Sequence, residues 1–534
     1  MKRCPECRRD YYDDTLLYCL DDGNPLLDGP ASGRSEPPAS AGGQFGDEPQ
    51  TAILHNAASP SEDVTRPLID IAAVKEPAPS IAVLPFVNMS ADAENEYFCD
   101  GLAEEILNAL ARVDRLKVAA RTSAFSFKGR NANVGEIAAA LNVTSVLEGS
   151  VRKSNDRLRI TAQLVNAADG YQLWSERYDR EMKDIFDVQD EIGVAVVEAL
   201  KIKLLGEEKA ALLKRHTQSA EAHEFYLRGL SHFNKWTPAD FDKAIENFQR
   251  AIAIDPTYAS AHAALADSFT ELSFFSFSVA DPAPRARSAA ERALKLDDGL
   301  AEAHNSLALI KMYFDWDYAG AEAEFRRAIA INPGNATVHM WYGWFLGLMG
   351  RFDESLGELN RAREVDPLSA PNINAIGVVL YWSGRTDRAI TQFEDVLELH
   401  PNYPVAIAFL AEAYAQKGDL SSAVATIEKI AADAMDPQAL SVMGYVYARS
   451  GDRQKAEQVL DKFKELSGQG YSPAINFAHI YAGLGDHEEA LDWLEHACEK
   501  RVTWVPFMRV DPKFDVLRCE PRFDELLGRA GFGK

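Results

Sequence analysis

A glycine recurs at Gly350, Gly384, Gly418, Gly451 and Gly485, at spacings of 34, 34, 33 and 34 residues, each time after a largely apolar segment of helical length. A period of this size constrains the fold more than any bulk property, because a unit so short cannot bury an apolar face alone and must stack on its neighbours. About five residues after each glycine comes a small residue, in turn Ser355, Ala389, Ala423, Ala456 and Ala490. Four residues later comes a bulky one, Leu359, Phe393, Ile427, Leu460 and Leu494. This pattern predicts two short helices around a glycine turn, the small residue permitting close approach and the large one filling the gap. Pro333, Pro367 and Pro401 end the second helix, since proline lacks the N–H and clashes with the preceding turn.

Tyr342-Gly343, Leu346, Gly350, Ser355, Leu359, Ala362 and Pro367 follow in the order of the tetratricopeptide signature, and the region resembles that family. Leu307-Ala308, Ala321, Phe325, Ala328 and Pro333 resemble an earlier repeat, and Gly229, Ala244, Phe248, Ala251 and Pro256 the first. Leu265-Ala266, Ala293 and Asp298 form a looser unit lengthened around Phe274 to Pro284. About eight repeats over 218–500 are expected, stacked as an all-α, right-handed solenoid.

The front of the chain has another character. Cys4-Pro5-Glu6-Cys7 is a metal knuckle, and Cys19-Leu20-Asp21-Asp22-Gly23 resembles a second whose last cysteine is aspartate. Thiolates two residues apart on a tight turn reach one Zn²⁺ at about 2.3 Å, and a carboxylate completes the tetrahedron. Cys4, Cys7, Cys19 and Asp22 are therefore the expected ligands of a structural Zn²⁺ over 1–27, with Asp21 or water as alternatives to Asp22. Lys2, Arg3, Arg8 and Arg9 are placed to offset the charge of such a centre. The pattern resembles short zinc ribbons at the front of bacterial signalling proteins. Residues 28–79, rich in Pro, Ala, Gly, Ser and acids, read as a disordered tether. Within it Thr51 follows Asp47-Glu48-Pro49-Gln50 and resembles a site phosphorylated by bacterial Ser/Thr kinases.

Over 80–206 the pattern predicts a compact α/β domain. Ser80 to Phe86 has strand length and unbroken apolarity, Asp100 to Val113 a helical face, Leu116 to Ala120 strand character and Val134 to Leu141 a second helix. Ser145 to Val151 and Leu158 to Val165 alternate about the turn Ser154-Asn155-Asp156, followed by a strand at Tyr171 to Tyr178 and a helix at Asp187 to Leu205. Ala82-Val-Leu-Pro-Phe86, Tyr97, Asp100-Gly101-Leu102, Ala120-Arg121-Thr122, Leu147-Glu-Gly-Ser-Val151, Trp174 and Asp184-Ile-Phe186 resemble the TolB amino-terminal-like, FlgO-like family. That resemblance implies a domain without established catalysis that joins signalling modules to tetratricopeptide repeats.

Charge and motif content narrow the function. The net charge of −25 disfavours a nucleic-acid or anionic-membrane surface. No apolar run reaches the roughly 18 residues of a membrane helix, and Met1-Lys-Arg-Cys-Pro is not a signal peptide, so a cytoplasmic protein is expected. Phosphate-loop, His-Glu-x-x-His, nucleophile-elbow and kinase motifs are absent, and the expectation is a chain that is not an enzyme.

In a tetratricopeptide solenoid the first helix of each repeat lines the concave face. The resemblance places Asn305, Met312, Trp344, Asn374, Tyr381 and Tyr445 there as candidate peptide-binding residues, with Trp344 and Tyr381 alternatively packing between repeats. Lysines that would hold an acidic carboxylate are missing, so an apolar or basic segment is the expected ligand. Trp504-Val-Pro-Phe507, Val510-Asp-Pro-Lys-Phe514 and Pro521 to Leu526 resemble a segment, over 501–534, that caps the last repeat. The function implied is a bacterial signalling scaffold. The alternative is a regulatory subunit for a separate cyclase, kinase or transcription regulator, its α/β domain binding a small ligand near Arg121 or Arg159.

Overall fold

The computed structural model describes the strands Lys2–Arg3, Asp10–Tyr11 and Leu27–Asp28 and, from residue 79 to residue 533, all but 114, 155, 203, 205, 236, 277–281, 432–434 and 469–470. The chain divides into two compact units, 1–74 and 75–534. In the first, β1 (Lys2–Arg3) pairs antiparallel with both β2 (Asp10–Tyr11) and β3 (Leu27–Asp28). The expected zinc ligands Cys4, Cys7, Cys19 and Asp22, and Thr51, lie outside the described residues.

The second unit opens with a mixed sheet. Ser80–Val83 (β4) is buried throughout, as its unbroken apolar run requires, and lies parallel between β6 (Lys117–Val118) and β7 (Ser145–Ser154); β5 (Val87–Asn88) extends the pairing along β7. The predicted hairpin is present: β7 pairs antiparallel with β8 (Arg157–Asn166), which pairs with β9 (Gln172–Glu181). Helices α1 (Glu96–Leu110) and α4 (Ile185–Ala199) pack Leu102, Ile106, Ile192 and Val196 on one face of the sheet. Across the other face lie α2 (Arg121–Phe125) and α3 (Val134–Leu141), burying Ala124, Ile137 and Leu141 against Ala82 and Val146. A capping box fixes the start of α3, with Asn133 and Glu136 each bonding the other's backbone N–H. The strand expected over Leu116 to Ala120 is limited to two residues, because Ala119 and Ala120 turn away into α2. The helix expected from Asp187 to Leu205 starts earlier and stops at Ala199, with Lys201 in the left-handed region.

After the short α5 (Gly206–Leu212), eight helix pairs follow among the described residues. They are α6 (Ala220–Phe233) with α7 (Pro238–Ile254), α8 (Ala259–Ser276) with α9 (Pro282–Leu296), α10 (Ala301–Ile310) with α11 (Tyr318–Ile331), and α12 (Ala336–Leu348) with α13 (Phe352–Val365). The series continues with α14 (Ala370–Trp382) and α15 (Thr386–Leu399), α16 (Pro404–Lys417) and α17 (Leu420–Ile427), α18 (Pro437–Arg449) and α19 (Arg453–Gly468), and α20 (Ala474–Leu484) and α21 (His487–Glu499). The periodic glycines do what their spacing predicts: Gly350, Gly384, Gly418, Gly451 and Gly485 all adopt φ between 73° and 87°, where a side chain is strained. A second glycine makes room inside the pair. A Cβ at Gly377 would sit 2.5 Å from the ring of Phe393, so the bulky residue of the signature is admitted by a missing side chain on the first helix.

The two helices of a repeat bury different amounts. Helix α13 buries only Ser355, Leu359 and Ala362, a single stripe, whereas α12 buries residues on every side, Val338, Trp341, Tyr342 and Phe345 among them. A helix covered all round needs cover on both faces, so something other than the second helices lies against the first ones.

The α/β domain is docked onto the repeats. Gly101 of α1 approaches Leu227 of α6 so closely that a Cβ would lie 2.7 Å from it, and Tyr97 donates to Glu224 at 2.6 Å. Farther along, the Ser123 N–H at the start of α2 donates to Asp366 at 2.9 Å, and the Leu368 N–H donates to Ser123 Oγ at 2.8 Å. One continuous apolar core runs from Ile81 and Leu147 in the sheet through the repeats to Phe507.

Candidate peptide-binding face

The cover over the first helices is the segment from residue 501 onward. It forms two 3-10 turns, Val505–Arg509 and Pro512–Leu517, and α22 (Pro521–Arg529). Part of it caps the last repeat, Arg522 and Arg529 bonding Glu495 of α21 at 2.7 and 2.9 Å. The rest runs back along the first helices. Phe507 sits 5.8 Å from Trp344 of α12, 5.4 Å from Trp382 of α14 and 6.0 Å from Tyr313 beyond α10. Arg501 donates to the Phe314 carbonyl at 2.8 Å, and Tyr318 donates to the Ala530 carbonyl at 2.7 Å while stacking on Phe532 at 4.6 Å. Tyr313 and Phe314 belong to a wider π turn, Lys311–Asp315, that prolongs α10 and carries them toward this segment.

The polar anchor of the segment is a buried charge cluster. Lys513 donates to Glu412 of α16 at 2.7 Å and lies 3.0 Å from Asp511. Asp511 is 3.3 Å from His479 of α20, which also meets Ser441 of α18 at 3.2 Å. Burial pulls His479 down to about 4, with the Lys513 charge adding to it, so the ring is neutral and bridges Ser441 to Asp511. Burial alone would push Asp511 up, but Lys513 and His479 outweigh it and hold the carboxyl well below its usual range. Burial pushes Glu412 up to about 7 against the pull of Lys513. The ammonium of Lys513 is held charged: its two carboxylates overcome the burial that opposes it.

Every sequence-predicted peptide-binding residue lies on a first helix or its extension. Asn305 is in α10, Met312 in the π turn, Trp344 in α12, Asn374 and Tyr381 in α14, and Tyr445 in α18. Trp344 remains half-buried, edge-on to Trp382 at 4.9 Å, and the other five are buried. Tyr445 accepts from Arg449 at 2.8 Å, while Asn305 Oδ1, Asn374 Oδ1 and Tyr381 Oη have no hydrogen-bond partner.

Beside the covering segment the face keeps a cavity of about 190 Å³, walled by Trp341, Trp344, Asn374, Phe409, Glu412 and Trp504. A second space of about 400 Å³ lies between the α/β domain and the first repeats, walled by Glu105, Arg112, Arg121, Tyr258, Asp267 and Glu271. Arg121 there bonds Glu104 at 2.8 Å and lies over Phe125, and Arg159 pairs with Asp179 in solvent. Sequence reasoning missed Glu271, Glu412 and Lys513. A signal existed for Glu412, an acid amid the alanines of Val405 to Ala415, but nothing local tells what it faces.

Tetratricopeptide-repeat models match residues 317–376, 381–444, 437–462 and 474–503, and a TPR-repeat model matches 240–272. A Rhizobium meliloti (strain 1021) protein named "Putative adenylate cyclase 3" is 38% identical over 235 residues, 43% of this chain and 40% of that protein. The Salmonella typhimurium transcriptional regulator HilA is 22% identical over 311 residues, 56% of this chain and 54% of its own length. The chain thus spans about half or less of the curated relatives it matches. Among solved structures, yeast Tom70 aligns with 65% of this chain and 82% of its own at 17% identity and a TM-score of 0.40. A tetratricopeptide repeat protein from Parabacteroides merdae aligns with 51% and 100% at 14% identity and a TM-score of 0.37. No helix among the described residues is long and apolar enough to cross a membrane. Within 240–272 and 317–503, the chain carries tetratricopeptide repeats.

Proposed function

We propose that the protein is a scaffold that seats a segment of a partner protein on the face formed by the first helices of its repeats. The observation that carries this reading is that the face already holds a polypeptide segment of the chain's own, through an aromatic residue, Phe507, and a buried cation, Lys513. Aromatic anchors and desolvated charges are what hold a bound segment. The same chemistry suits a partner segment that is apolar and basic, entering where Val405 of α16 is exposed at the rim of the 190 Å³ cavity.

The test is site-specific photocrosslinking in the native host. With p-benzoylphenylalanine in place of Val405, a discrete protein adduct is expected. With the same residue in place of Leu399, exposed at the end of the second helix α15, it is not. Equal adducts at both positions, or none at Val405, refute the reading.

A second reading is favoured by the similarity to a cyclase-named protein and a transcriptional regulator. In it the repeats and a TolB-like α/β domain regulate such an output module, and the 400 Å³ space beside Arg112 and Arg121 receives a small ligand.

A further inference from the structure

The 190 Å³ cavity has a chemical bias that its apolar walls conceal. Glu271 of α8, Asn374 of α14 and Glu412 of α16 all line it, and they are only 6%, 2% and 0% exposed. One oxygen of each, Glu271 Oε2, Asn374 Oδ1 and Glu412 Oε2, has no hydrogen-bond partner. Three elements thus bring residues with an unbonded acceptor, two of them carboxyls, to the lining of a single space, and Glu271 also lines the 400 Å³ space next to it. Among the described residues no lysine, arginine or histidine lines that space. Its other walls are largely aromatic, Trp341, Trp344 and Phe409 among them, whose ring faces attract a cation. Buried acceptors left unsatisfied are costly and call for a donor. A cavity of roughly 150 Å³ already holds a benzene, so this one admits the head and part of the stem of one long side chain.

We infer that this cavity receives the guanidinium or ammonium of one arginine or lysine in the bound partner segment, caged by the tryptophans and hydrogen-bonded by Glu271, Asn374 and Glu412. The inference rests on the reading of the first-helix face as a peptide groove, and it names the residue that the groove selects. The molecule supplies its own precedent one oxygen away: Oε1 of Glu412 binds the ammonium of Lys513, and Oε2 of the same carboxylate faces no partner. Burial, with the charge of Asp267 adding to it, pushes Glu271 up to about 8, as it would for a carboxyl waiting for a counter-charge.

The test uses the full chain and a random nonapeptide display library. Enriched peptides are resynthesised with a fluorophore and titrated by anisotropy against the wild-type protein and Glu271→Gln. The expected peptides share one arginine or lysine among apolar residues. Replacing that arginine by citrulline, or that lysine by norleucine, should raise Kd at least about tenfold, as for a lost charged hydrogen bond. In Glu271→Gln the ratio should shrink toward one. The citrulline and norleucine arms need only the wild-type protein, so they decide the matter even if the variant misfolds. Enriched peptides without a shared basic residue, or a ratio near one in the wild type, overturn the cation site and leave the groove standing. A library that yields no binder overturns both. N-acetylarginine amide competing as tightly as the whole peptide assigns the cavity to a free small cation and overturns the peptide side chain as its occupant.

Discussion

The two ends of the first-helix face are built from the same repeat and used in opposite ways. Toward α16, α18 and α20 the face is closed: Phe514 packs on His479, Lys513 pairs with both Glu412 and Asp511, and polar groups meet across the contact. Toward α8 and α10 the buried carboxyls Glu271 and Asp267 form no ion pair among the described residues. Glu271 is pushed up to about 8 and Asp267 to about 7, each chiefly by burial, while Asn305 Oδ1 goes unbonded. A repeat fixes where side chains point, and what they meet is decided elsewhere in the chain. The two ends therefore differ less in their helices than in whether a cation of the covering segment meets their buried carboxyls.

Removing the cation from the closed end should have the largest effect. Lys513→Met strands two buried carboxylates and should cost about 3–5 kcal/mol in urea denaturation, and adding Glu412→Leu should recover part of it, because a buried pair replaced by apolar groups is close to neutral. A cost below about 1 kcal/mol, the value of an exposed pair, would mean that the two ends are alike. At the α8 end the sign reverses. A carboxyl raised from 4.5 to about 8 keeps its proton in the folded state while the unfolded chain loses it, so wild-type stability falls as pH rises between those values. Glu271→Gln does not titrate. Its unfolding free energy should match the wild type near pH 4.5 and exceed it increasingly up to pH 8, by about 1.4 kcal/mol per pH unit, read from urea denaturation. A constant difference across that range would show that Glu271 already has a partner. The smallest effect belongs to the feature both ends share. Gly384→Ala, at φ 73° with open space around it, should cost about 1–2 kcal/mol from backbone strain alone, measured by the same denaturation.

Much of the fold was readable because it is local. Gly384 and its periodic partners announced their turns, Val134–Leu141 its exact helix, and Ser154 to Asp156 its hairpin. The candidate residues were readable to the same depth: from Asn305 to Tyr445 each falls on a first helix or, for Met312, on the turn that prolongs one. Their covering was not. Lys513 and Glu412 lie 101 residues apart and share no period, and a lysine between Pro512 and Phe514 looks like any surface residue until its partner is known. One clue was available. Trp341-Tyr342-Gly343-Trp344-Phe345 is too apolar for a helix with one free face, so its sequence already asked for a second layer.

Repeat arrays commonly assemble from neighbour to neighbour, each unit completing as it leaves the ribosome. The bond from Tyr318 to Ala530 joins residues 212 apart, which removes that freedom. Synthesis at roughly 5–20 residues per second leaves the aromatic face between them uncovered for on the order of ten seconds, a window in which another polypeptide can reach it before residues 501–533 are made.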